Sequence, residues 1–158
     1  MTIKKASEKD LKNILELNEA AVPHVSSVGM EEMEWFLKKA GPFLVVESEG
    51  EVAGFMIVLQ PGLKYQSLNY RFFCGNFETF DYVDRIVIGD NHRRKKLGSA
   101  LYEYLFTNSD KKIITCEVNV RPPNPDSMKF HKALGFNKIA EQITEKGEKR
   151  VAMMVKRM

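Results

Sequence analysis

Four consecutive cations, Arg93, Arg94, Lys95 and Lys96, stand immediately before Leu97, Gly98 and Ser99. Such a cluster attracts an anion, and its surroundings give the anion a seat. Tyr82 to Ile88, just upstream, are β-branched and apolar enough for a mostly buried strand. Downstream, Leu97, Leu101, Tyr104 and Leu105 recur at helical spacing. A chain that turns from strand into helix leaves the first helical N–H groups without intrahelical partners, at the positive end of the helix dipole. That arrangement suits a phosphate or pyrophosphate. Gly98 keeps side-chain bulk away from an approaching ligand. A solvated basic turn at an ordinary strand-to-helix junction is the alternative reading.

Two further stretches carry chemistry. In Lys112 to Val120, alternation sets Ile113, Thr115, Glu117 and Asn119 on one face and Ile114, Cys116 and Val118 on the other. If the first face is covered, the Glu117 carboxylate must be paired, protonated or used; an exposed strand end is the alternative. Residues 61–80 hold six aromatics in twenty positions but show no clean period of 2 or 3.6. They read as a long loop, of the kind that serves function or stays disordered, and the aromatic content opposes disorder. A wall over a pocket would let Tyr65, Tyr70, Arg71, Phe73 and Phe77 touch a ligand. A satellite cluster covering one end of a sheet is the alternative.

The elements that must position these groups follow from pattern. Ile3 to Ala6 suggests a strand. Ser7 and Asp10 form a capping-box-like start for a helix carrying Leu11, Ile14, Leu15 and Leu17, which Pro23 ends. A second helix is expected over Met30–Lys39, stopped by Gly41-Pro42. Phe43 to Glu47 and Val52 to Leu59 flank Ser48-Glu-Gly-Glu51 as a hairpin. After Arg121-Pro-Pro-Asn-Pro, Asn124 caps a helix that begins at Pro125 and that Gly135 terminates. Phe136 to Gln142 and Arg150 to Lys156 close the chain as strands around Glu145–Glu148. His24 and His92 read as loop residues without a role.

Composition bounds the class. The 158 residues are 44% hydrophobic and 28% charged, as in a soluble globular protein, and suffice for one domain over 1–158. A net charge of +3 is too mild to argue for nucleic acid. No apolar run reaches membrane-spanning length, and the first ten residues are not a signal peptide. Cys74 and Cys116 match no metal or redox spacing. The expectation is a cytoplasmic protein without nucleic-acid or membrane partners and without metal.

The order of strands and helices indicates an α/β or α+β sheet protein. Two motifs then give the chain a resemblance to the GNAT superfamily of acyl-coenzyme A-dependent N-acyltransferases. Arg93-x-x-Lys96-x-Gly98 resembles that family's Arg/Gln-x-x-Gly-x-Gly/Ala pyrophosphate loop. Asn124-x-x-Ser127-x-x-Phe130-His131-x-x-x-Gly135-Phe136 resembles its Asn-x-x-Ala/Ser-x-x-Phe/Leu-Tyr-x-x-x-Gly-Phe pattern. Cys116-Glu-Val-Asn119 followed by Pro122-Pro-Asn-Pro125 also resembles an uncharacterised bacterial GNAT subgroup.

The resemblance implies a mixed, mostly antiparallel sheet of six to seven strands, splayed in the middle, with about four helices. It implies acetyl-CoA as donor, attack of a neutral amine on the thioester, no metal, and pairing as homodimers. Ile86, Val87 and Ile88 would offer backbone groups to the pantetheine arm. Arg93, Arg94, Lys95, Lys96, Leu97, Gly98 and Ser99 would hold the pyrophosphate. Asn124, Ser127, Phe130 and His131 would line the cofactor's path. Where the family carries a tyrosine that protonates the departing thiolate, this chain has His131, which would serve as imidazolium. Glu117 and Asp84 are the candidate bases, Glu117 preferred because its strand flanks the same cleft in the family. An ion pair with Arg85 or another cation is the other reading of Asp84, and a water chain to bulk is the alternative to either base. Lys96 replaces the loop's first glycine; a positive φ there would cost on the order of 1 kcal/mol, whereas a helical lysine would be harmless. The acceptor is expected to be a small-molecule amine. A protein amine, a non-catalytic coenzyme A-binding regulatory module and a basic-patch RNA binder are the alternatives.

Overall fold

The structure is a computed structural model of the chain and describes residues 1–144 and 147–158. Its seven strands are β1 (Thr2–Lys5), β2 (Phe43–Ser48), β3 (Glu51–Leu59), β4 (Asp81–Ile88), β5 (Ile113–Arg121), β6 (Asn137–Thr144) and β7 (Lys149–Arg157). Among the described residues there are five α-helices: α1 (Leu11–Ala21), α2 (Met30–Lys39), α3 (Leu68–Asn76), α4 (Leu97–Asn108) and α5 (Pro125–Ala133). The strands form one sheet in the order β1-β2-β3-β4-β5-β7-β6. β4 and β5 are parallel, paired at Asp81–Ile114 and Tyr82–Thr115, while β1–β2, β2–β3, β5–β7 and β6–β7 are antiparallel.

Two compact units make up the chain, one of Met1–Leu59 with Arg85–Ser109, the other of Gln60–Asp84 with Asp110–Met158. In the first unit, α1 and α4 both pack on β3. Ala53 and Phe55 to Leu59 are accordingly buried without alternation, as for a strand covered on both faces. The α1 start is a short 3-10 turn, Glu8–Asp10. There the Asp10 carboxylate accepts from the Ser7 N–H at 2.9 Å and the Ser7 hydroxyl at 3.1 Å. The β2–β3 turn places Glu49 at φ 54° and Gly50 at φ 77°, the paired positive φ of a two-residue hairpin. Gly54 lets β3 approach β4: a Cβ there would lie 2.6 Å from the Val87 carbonyl oxygen.

The second unit is organised on an aromatic core. Tyr70, Phe73, Phe80 and Tyr82 are all at most 1% exposed, with Tyr70–Tyr82 and Phe73–Tyr82 ring centroids 5.7 Å apart. The unbroken loop expected over 61–80 is corrected here, since α3 lies within it. Ser67 caps α3 by accepting from the Tyr70 N–H at 3.2 Å. Tyr70 and Phe73 then stand at i and i+3 on the helix, and Phe77 follows as its extended C-cap residue. At the end of α5, Gly135 takes φ +97°. The Phe136 N–H there returns to the His131 carbonyl at 3.1 Å, a Schellman-type ending. Of the expected turn Glu145–Glu148, Glu145 and Lys146 lie outside the described residues.

Candidate active site

In the first unit the basic turn enters α4 through left-handed backbone. Lys96 is the N-cap residue at φ 60°, ψ 27°, and Arg94 also has a positive φ, 65°. The positive-φ alternative for Lys96 is therefore the one realised. The Lys96 side chain makes no cap bond to the first turn of α4, and the leading N–H groups of such a turn suit an anion. The four cations divide. Arg93 pairs with Asp90 at 3.1 Å and Lys95 with Glu49 at 2.9 Å. Among the described residues, Arg94 and Lys96 form no ion pair, and both are exposed. Two carboxylates thus hold the turn's shape while two cations are left to face a ligand.

His92, read from sequence as a loop residue without a role, is 4% exposed. Its Nε2 lies 2.6 Å from Glu51 Oε1, and its backbone N–H bonds the Gly89 carbonyl at 2.9 Å. The imidazole thus ties the turn to the β2–β3 hairpin. Nothing around a histidine in a polar turn announces burial. Upstream in β4, Val87 is buried and Ile86 and Ile88 are half-buried. Arg85, also buried, donates to Asn18 Oδ1 at 2.9 Å and to the Ser26 carbonyl at 3.0 Å, and sits over the Phe36 ring. It anchors the α1–α2 connection.

In the second unit two tyrosine–carboxylate pairs come together. The Tyr65 hydroxyl donates to Asp84 Oδ1 at 2.6 Å. The Tyr82 hydroxyl lies 2.7 and 2.9 Å from the two Glu117 oxygens. Burial, chiefly, and then the negative charges of Glu117 and Asp84 push the Tyr82 phenol well above its ordinary pKa. Tyr82 is therefore a permanent donor near neutral pH, and Glu117 is the paired carboxylate that its strand pattern called for. Tyr82 was legible only as a buried strand residue.

The other expected residues of this unit divide. Tyr70 and Phe73, expected to touch a ligand, are core: Tyr70 is 1% and Phe73 0% exposed. Tyr70 Oη donates to the Gln60 carbonyl at 2.5 Å and accepts from the Leu63 N–H at 2.9 Å. Tyr65 and Phe77 are half-buried and Arg71 is exposed. Asn124 Oδ1 accepts from the Ser127 N–H at 3.3 Å, so its NH₂ is what it can offer a ligand. Ser127 and Phe130 are half-buried. His131 is 4% exposed with Nδ1 2.8 Å from the Ser127 carbonyl. That contact assigns the proton to Nδ1. Burial lowers the His131 pKa, the Ser127 carbonyl partly offsetting it. The imidazolium expected from sequence is thus the disfavoured form at neutral pH. Among the described residues no three His, Cys, Asp or Glu side chains gather as a metal-holding group, and no helix is long and apolar enough to cross a membrane.

A model of the acetyltransferase (GNAT) family matches residues 9–136. The chain belongs to that family. Its fold agrees with solved GNAT structures at low identity. Ribosomal-protein-alanine N-acetyltransferase from Brucella melitensis is 19% identical, with all of both chains covered and a TM-score of 0.74. Ard1 from Thermoplasma volcanium is 18% identical, covering 99% of this chain and 97% of its own, at a TM-score of 0.79. YncA from Salmonella typhimurium, solved with its cofactor acetyl-CoA, is 20% identical, covering 99% of this chain and 93% of its own, at 0.73. No curated protein matches the sequence. The αL backbone of Lys96 is a conformation that glycine would adopt without strain.

Proposed function

We propose that this GNAT protein is an acetyl-CoA-dependent N-acetyltransferase acting on a primary amine of a small molecule by direct attack. The observation that carries the reading is the second unit's pair of tyrosine–carboxylate contacts, Tyr65–Asp84 and Tyr82–Glu117. These are the acid–base groups that amine acylation requires. The donor supplies an activated acetyl thioester. On this reading the α4 N–H groups with Arg94 and Lys96 hold its phosphates, and the β4 backbone from Ile86 to Ile88 aligns its pantetheine arm. Asn124, through its NH₂, and Ser127 and Phe130 line the path of that arm.

The residues then divide the chemistry. The amine must arrive neutral, so a carboxylate must take its proton. Asp84, half-buried and accepting from the Tyr65 hydroxyl, is the preferred acceptor of that proton. Glu117, clasped by Tyr82, is the second. As the amine nitrogen bonds to the carbonyl carbon, the C–S bond breaks and the thiolate leaves. His131, neutral at pH 7, is proposed as a positioning residue of α5 rather than the thiolate's acid. Solvent protonates the thiolate in that case.

Following thiol release with a panel of small amines and of peptides with free N-termini tests the reading. A small amine turned over, with Asp84→Asn reducing kcat about 10²–10⁴-fold, supports it. Turnover of peptides alone would move the acceptor to a protein amine. Full activity in both Asp84→Asn and Glu117→Gln would overturn the base assignment.

A further inference from the structure

We infer that the acceptor is a primary amine carrying an anionic group, a carboxylate or a phosphate, and that it lies in the groove formed by residues 61–78. The inference rests on the transferase reading and deepens it by naming the acceptor's class. A groove of about 600 Å³ is lined by Lys64, Tyr65, Arg71, Cys74, Phe77 and Glu78, among others.

The wall of this groove is fixed. Its irregular segment is tied down by Tyr70, whose buried hydroxyl bridges the Gln60 carbonyl and the Leu63 N–H. The Tyr65 N–H returns to the Leu63 carbonyl at 3.0 Å, and the Tyr65 ring stands edge-on to Tyr70 at 5.5 Å. Gln60 in turn donates to Asp81 at 2.7 Å. A segment without regular structure that a buried tyrosine holds in place is a formed surface, not a loose loop.

One residue connects the groove to the proposed chemistry. Tyr65 lines it, and the hydroxyl of the same side chain donates to Asp84 at 2.6 Å. An amine presented to Asp84 therefore extends its remaining atoms along Tyr65 into the groove. What those atoms meet is positive. Lys64 and Arg71 are exposed and, among the described residues, form no ion pair; Arg71 is held by the Gln66 side-chain oxygen. Glu78 is the only carboxylate among the lining residues. A guanidinium fixed by a neutral amide keeps its remaining N–H donors for a carboxylate or phosphate. Phe77 and Tyr65 supply apolar surface for a short linker between amine and anion.

The test begins with calorimetric titration of the full chain with acetyl-CoA, followed by thiol release with matched amines. β-Alanine is compared with n-propylamine, and phosphoethanolamine with ethanolamine. We expect kcat/KM at least tenfold higher for the anionic member of one pair, and which pair responds separates carboxylate from phosphate. Arg71→Met and Lys64→Met should bring that ratio toward one through KM, with Arg71→Lys restoring part of it. Tyr65→Phe should lower kcat and shift the acid limb of the rate profile, which a merely structural loss would not do. Equal rates for charged and uncharged partners, or a ratio untouched by both methionine variants, would overturn the inference while leaving the transferase reading standing. Absence of acetyl-CoA binding would overturn both.

Discussion

Lys96 offers a substitution whose effects on stability and on binding point in opposite directions. Its φ of 60° and ψ of 27° place an L side chain in the left-handed region, which costs roughly 1–2 kcal/mol. Glycine removes that cost but makes the unfolded chain freer by about 0.4–1 kcal/mol. The difference leaves Lys96→Gly more stable by somewhat under 1 kcal/mol, or about 1–3 °C in melting temperature for a chain of this size. Lys96→Ala is the control, since it loses the ammonium but keeps the Cβ and the strain. Urea denaturation of the three proteins should therefore rank glycine above both alanine and wild type. Calorimetry should show both variants binding acetyl-CoA less tightly than wild type, because both lack the cation left to face the phosphates. If glycine is no more stable than alanine, the strain argument fails. If both variants bind as tightly as wild type, Lys96 does not contact the donor.

Tyr82→Phe removes the buried donor to Glu117 and should cost about 1.5–3 kcal/mol, the range for a hydrogen bond to a charged group. A double-mutant cycle with Glu117→Gln checks it, and independent, additive losses would refute the pairing. Gly54→Ala places a methyl 2.6 Å from the Val87 carbonyl oxygen and should destabilise on the order of 1–3 kcal/mol in urea. A neutral substitution would show that β3 and β4 can part. His131 has its pKa lowered by burial, so the unfolded chain binds the extra proton more readily. Its contribution is then fully present above about pH 6.5 and is lost as pH falls, with a slope of at most about 1.4 kcal/mol per pH unit. His131→Phe should flatten the decline in stability between pH 7 and 5, and an unchanged profile would refute the burial account.

Much of this was readable from the residues because local rules and tertiary packing agree. Met30–Lys39 is a helix at the bounds its apolar spacing suggests, and Asn124, Pro125 and Gly135 cap and end α5 in the roles their types favour. α3 was hidden because Tyr70, Arg71, Phe72, Phe73, Cys74 and Gly75 are mostly weak helix formers. Ser67 and the 70, 73 spacing held the signal, and burial of Tyr70 and Phe73 supplies what propensity withholds. The basic turn was legible as a cation cluster, but its division was not. Glu49 and Asp90 reach Lys95 and Arg93 through a hairpin and a 3-10 turn, geometry that spacing does not encode. Strand alternation flagged Glu117 as a carboxylate needing a partner. That the partner is Tyr82, 35 residues away in sequence, only the pairing of β4 with β5 reveals.

The central claim is that the turn before α4 holds the phosphates of an acyl-coenzyme A donor. Calorimetric titration of the unmodified protein with acetyl-CoA, beside dephospho-coenzyme A, tests it most directly. The account predicts micromolar binding of acetyl-CoA and weaker binding of the dephospho form, since Arg94 and Lys96 are the cations left for the 3′-phosphate. No heat and no thermal shift with either ligand, at concentrations well above micromolar, would contradict it.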